Sequence, residues 1–88
     1  MRTKNIPIKN KLGLHVRPAA VIASIAKQAS GNIYIEKNGQ RVSADSVLDI
    51  LLLYCRQNDL ITLIADKDTD QEIIDHLEKL LLLDEIPL

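Results

Sequence analysis

Residues 32–42, NIYIEKNGQRV, hold the clearest local signal in this chain of 88 residues. Ile33 and Ile35 alternate with Tyr34 and Glu36, the period-two pattern of a strand with one buried face. Asn38-Gly39 then supplies the two positive-φ positions of a type I′ turn, so a hairpin is expected. Everything on either side of that hairpin reads as a helix, then a strand. Upstream, from Pro18 to about Ala29, Ala19, Ile22, Ala26 and Ala29 recur at helical spacing beside Ile25, and Gly31 stands where a C-cap glycine is expected. Farther upstream, RTKNIPI at 2–8 is a weakly alternating strand. Pro7 cannot donate a ladder hydrogen bond, which places that strand at a sheet edge.

Downstream, SVLDILLLYC at 46–55 starts on Ser46 with Asp49 three residues on, close to a capping box. This short helix is apolar all round, and a small domain cannot bury every side. Leu48 and Leu52 are therefore candidates for an exposed binding patch, with tight packing as the alternative. LITLIA at 60–65 reads as a central strand. DTDQEIIDHLEKLLLL at 68–83 is an amphipathic helix with acids in its first turn and a stripe of Ile73, Ile74, Leu77, Leu80 and Leu81. His76 falls on its polar side, and the tail DEIPL is expected to fray. The order is βαββαβα: an α+β open-faced sandwich in one domain over 1–88, with three helices on one face of a four-stranded, mainly antiparallel sheet.

Composition removes several function classes. There is no Trp or Phe, and the only aromatics are Tyr34 and Tyr54, so the platforms that stack nucleic-acid bases are missing. Without a signal-like h-region or a run of about 20 apolar residues, neither export nor membrane insertion is expected, and the cytoplasm is the expected location. The lone Cys55 can form neither an internal disulfide nor a metal cage and reads as a small buried residue. Charge is unevenly spread: residues 1–41 hold eight Lys/Arg against one acid, and residues 42–88 hold three against eleven. The halves either neutralise one another or leave a basic end, around Lys9, Lys11, Arg17 and Lys27, for an anion or an acidic partner.

That basic end contains KLGLHVRPAA at 11–20. An imidazole titrating near neutrality offers a neutral nucleophile at about pH 7. At the mouth of a helix it meets free backbone N–H groups and a partial positive charge, a ready anion site. Arg17 adds a planar, permanently charged fork suited to phosphate oxygens. Pro18 fits the first helical turn and biases Arg17 away from helical geometry. Gly13 lets the loop bend so that His15 can stand clear. Two readings remain open on these grounds: a phosphorylatable histidine, or a histidine that caps the helix beside an incidental arginine.

The string GLHVRPAA with NKLG before it, inside a βαββαβα chain, closely resembles the HPr family, the histidine-containing phosphocarriers of the bacterial phosphotransferase system. The resemblance spans essentially the whole chain. It implies that His15 accepts a phosphoryl group on Nδ1 from phospho-enzyme I, itself charged by phosphoenolpyruvate, and passes it to enzyme II A-type domains in sugar transport. It implies that Arg17 steadies the phosphate and that Pro18 shapes the helix entrance. Leu48, Leu52 and Lys27 would contact partners. Ser46 matches a serine that a dedicated HPr kinase/phosphorylase modifies in many members, although Asp45 and Asp49 flank it here and repel a phosphate. The stretch ADSV is also similar to nitrogen-branch paralogues, so a mainly regulatory HPr-like protein is the alternative. An enzyme with a phosphohistidine intermediate would need a proton donor and a pocket that the sequence does not display. The expectation is thus a monomeric carrier, not a turnover enzyme, with no cofactor and no metal.

Overall fold

The computed structural model describes residues 1–86. Four strands, β1 (Arg2–Pro7), β2 (Ile33–Lys37), β3 (Gln40–Ser43) and β4 (Leu60–Ala65), form one antiparallel sheet in the order β1-β4-β2-β3. Three helices complete it: α1 (Val16–Ala26), α2 (Val47–Leu52) and α3 (Gln71–Leu81), the last entered through a single 3-10 turn at Asp68–Asp70. The expected βαββαβα order holds, β1 lies at an edge, and β4 runs centrally between β1 and β2. Asn38 and Gly39 have φ of 52° and 81°, the left-handed pair of the expected hairpin turn.

Alternation in the strands sets the two faces. Ile61, Leu63 and Ala65 of β4, with Ile33 and Ile35 of β2, are buried beneath the helices. Ile22 of α1, Ile50 of α2, and Ile74, Leu77 and Leu81 of α3 meet them from the other side. With no Phe or Trp available, these branched aliphatics fill the core, each worth about 1.5–3 kcal/mol when fully buried. Cys55 is buried among them, and that burial pushes its thiol up to about 11.

Several element ends differ from the sequence reading. Helix α1 starts at Val16, two residues before Pro18, so Pro18 is the third helical residue and Arg17 is helical rather than extended. The position tolerates proline because its missing N–H would have had no intrahelical acceptor. The helix ends at Lys27, in right-handed geometry, and Gly31 is not a left-handed cap. Gly31 is needed for closeness instead: a Cβ there would collide with the Asp66 carboxylate and approach Lys67 Cγ to 2.8 Å. The Asp70 carboxylate accepts the Ser30 and Gly31 N–H groups at 2.8 Å each. Helix α2 is shorter than expected, stopping at Leu52 before Tyr54 turns to φ 54°. Its capping box is half made: Ser46 Oγ accepts the Asp49 N–H at 3.3 Å, and Ser46 N–H donates to Ser43 instead. The tail is not frayed through residue 86. Lys11 N–H donates to the Asp84 carbonyl, the Asn10 side-chain amide donates to the Leu83 carbonyl at 2.7 Å, and Ile86 is buried. The final two residues of the stretch expected to fray lie outside the described residues.

Candidate functional site

The loop between β1 and α1 is shaped by one close approach. Gly13 has φ 66°, and a Cβ on it would strike the Cys55 carbonyl oxygen and come within 2.9 Å of Arg56 Cα. That contact lets the next residue, Leu14, bury its side chain and donate its N–H to the same Cys55 carbonyl at 2.9 Å. His15 follows, fixed on both sides but itself exposed. Its backbone is extended (φ −83°, ψ −171°), and its carbonyl accepts the Ala19 N–H at 3.0 Å, which makes it the N-cap of α1.

The imidazole makes no capping hydrogen bond. The alternative of a side chain spent on closing the helix is therefore not what the structure contains. Among the described residues the N–H groups of Val16 and Arg17 also lack a protein acceptor, and Pro18 has none to offer. The helix mouth thus presents unpaired donors and the positive end of the α1 dipole next to an uncommitted ring.

Two concavities meet at His15. One, of about 310 Å³, is lined by Asn10, Lys11, Leu12, His15, Arg17, Pro18 and the tail residues Asp84, Glu85 and Ile86. The other, of about 450 Å³, is lined by Leu12, Leu14, His15, Leu51, Leu52, Tyr54, Cys55 and Arg56. The first brings Arg17 and Pro18 to His15 as expected. The second brings Leu52, and Leu48 lies one turn earlier on the same exposed face of α2. Lys27 is not at the site: it lies at the far end of α1, about 18 Å along the axis at 1.5 Å per residue. It shares an exposed helix face with Arg17, Ala20 and Ser24. Ser46 lines neither concavity, and it sits half-buried at the start of α2. His76 is exposed on α3, away from both.

Sequence reasoning missed four rim residues. Leu12, Val16 and Tyr54 are large apolar groups left 79%, 62% and 79% exposed around His15, and Arg56 adds a cation beside them. Leu12 and Val16 carried a usable signal, since an apolar side chain on either side of Gly13-Leu14-His15 cannot all be buried by so short a loop. The role of Tyr54 and Arg56 depends on tertiary proximity and had no local signature. Among the described residues, no cluster of three His, Cys, Asp or Glu could hold a metal ion. Nor is any helix long and apolar enough to cross a membrane.

Residues 2–82 match the family described as "PTS HPr component phosphorylation site". The chain belongs to the HPr family. It is 35% identical over 77 residues to the HPr-like protein Crh of Halalkalibacterium halodurans, covering 88% of this chain and 92% of that one. It is 33% identical over 81 residues to the phosphocarrier protein HPr of Haemophilus influenzae, covering 92% and 95%. A crystal structure of HPr from Thermoanaerobacter tengcongensis superposes with a TM-score of 0.86 at 38% identity, covering 92% of this chain and 91% of that one. HPr-family proteins carry phosphoryl groups and do not turn over a substrate of their own.

Proposed function

We propose that His15 is the phosphoryl acceptor, receiving the group from phospho-enzyme I and passing it to enzyme II A-type domains. The observation that carries the reading is the uncommitted imidazole at the N-cap of α1, beside the free N–H groups of Val16 and Arg17. In the forward step the lone pair of Nδ1 attacks phosphorus, the bond from phosphorus to the phospho-enzyme I donor atom breaks, and that atom keeps the bonding pair. The His15 proton stays on Nε2. Such transfers depend mainly on positioning and charge stabilisation. The helix mouth supplies the first through its fixed backbone, and unpaired N–H groups with the Arg17 guanidinium supply the second.

Binding at this site is moderate by construction. The receiving groups lie on an open rim, so solvent reaches the phosphate and the hold on it is weaker than in a closed pocket. A carrier must release what it accepts, and an open site suits that. Lys11, Arg17 and Arg56 set among Leu12, Leu52 and Tyr54 suit an acidic partner surface with an apolar centre. The reading takes the carrier to act as a single copy in the cytoplasm.

A regulatory role through Ser46 has its own support. Its hydroxyl already sits at a helix start, where a phosphate would find α2 amides. Against this, Asp49 lies in the same first turn, so modification by an HPr kinase/phosphorylase would work against a nearby negative charge. The test of both is labelling: phosphoenolpyruvate with enzyme I should give an acid-labile adduct lost in His15→Ala. ATP with HPr kinase should give an acid-stable adduct lost in Ser46→Ala.

A further inference from the structure

Lys37, at the end of β2, does not behave as a solvated strand lysine. Its side chain is only 14% exposed, and its ammonium donates to the Tyr54 carbonyl at 2.7 Å and the Leu53 carbonyl at 3.3 Å. It also pairs with the Asp59 carboxylate at 2.9 Å. Asp59 is in turn tied down three ways: its carboxylate accepts the Arg56 N–H at 2.8 Å, its carbonyl accepts the Ile8 N–H at 2.8 Å, and its N–H donates to the Arg56 carbonyl. The segment between these anchors contains Tyr54, at φ 54°, a conformation that side chains other than Asn and Gly rarely adopt. It also contains the Cys55 carbonyl that receives the Leu14 N–H next to His15.

We infer that the Lys37–Asp59 pair is a positioning device for the His15 site. This rests on the reading of His15 as phosphoryl acceptor. The ammonium satisfies the Leu53 and Tyr54 carbonyls just past the end of α2 and holds Tyr54 in its left-handed conformation. It thereby fixes where the Cys55 carbonyl stands, which sets the Leu14 anchor of the His15 loop and aims Tyr54 onto the rim that a partner meets. Neither Lys37 nor Asp59 touches the phosphate. Both act through residues 53–56, so their loss should weaken docking more than transfer within the docked complex.

Lys37→Met removes the cation. The Leu14 amide should then exchange about tenfold faster relative to the Leu63 amide in β4, a factor equivalent to about 1.4 kcal/mol. KM for this chain as the substrate of enzyme I should rise while kcat holds. Adding Tyr54→Gly should restore Leu14 protection, because glycine takes a positive φ without penalty. Asp59→Asn keeps the ammonium and should shift the same readouts in the same direction by less, and it decides alone if Lys37→Met does not fold. Equal acceleration at Leu14 and Leu63, or unchanged Leu14 exchange with unchanged KM, would overturn the inference. Leu14 exchange is read on the free protein, so failure of His15 to label at all would strike the carrier reading separately.

Discussion

Replacing Gly13 by alanine should be far more damaging than the same change at Gly39, although both have positive φ. At Gly39 (φ 81°) an added Cβ has nothing within 4 Å, so only the conformational term applies. An L-residue in the left-handed region costs about 1–2 kcal/mol, partly offset by about 0.4–1 kcal/mol from the smaller entropy of the unfolded chain. Gly39→Ala should therefore cost about 1 kcal/mol. At Gly13 (φ 66°) the same term is joined by a collision with the Cys55 carbonyl and by Arg56 Cα at 2.9 Å. Both obstacles are backbone, and the Cys55 carbonyl is held by Leu14 N–H, so relief means moving the loop. Overpacking of that kind adds about 1–3 kcal/mol, bringing Gly13→Ala to about 2–4 kcal/mol. For a domain this size each kcal/mol lowers Tm by about 4–8 °C, so the two variants separate in thermal or urea unfolding. The Leu14 amide should lose protection only in Gly13→Ala. Equal costs for the two variants would refute the claim that close contact with residues 55–56 shapes the His15 loop.

Ser46→Ala should cost about 1 kcal/mol through the lost N-cap of α2 and speed exchange of the Asp49 amide, with His15 labelling by enzyme I unchanged. Acid should weaken the fold through Asp70 and Asp59. The Ser30 and Gly31 N–H groups hold the Asp70 carboxyl below its ordinary 3.8, and the Arg56 N–H and the Lys37 ammonium do the same for Asp59. With folded values depressed, their stabilisation is present above the unfolded value, near pH 4, and is lost as pH falls through the folded values. Urea unfolding followed downward from about pH 4 should show this loss, and Asp70→Asn should flatten it.

The parts of the fold written in local sequence were readable. Asn38-Gly39 between two alternating segments admits little but a hairpin, and Pro7 marks an edge strand because it lacks a donor. The apolar run Leu60–Ala65 declares a central strand. His15 with Arg17 and Pro18 was visible for the same reason: their meaning lies in neighbouring residues. What was not legible depends on groups far apart in the chain. Gly31 looks like a helix cap until the Asp70 carboxylate, 39 residues away, is seen to hold it. Lys37 falls in phase with Ile33 and Ile35, and nothing local shows its partners, Leu53, Tyr54 and Asp59. The tail DEIPL reads as a fraying terminus, yet the Lys11 N–H reaches the Asp84 carbonyl and Ile86 is buried.

The central claim is that His15 takes the phosphoryl group at the mouth of α1. Its most direct test is incubation of the chain with phosphoenolpyruvate, magnesium and enzyme I, with the adduct located on the protein. The account predicts one acid-labile phosphoryl group on His15, absent in folded His15→Ala and formed more slowly in folded Arg17→Ala. An adduct that persists in His15→Ala, or no adduct with a matched enzyme I, would contradict it.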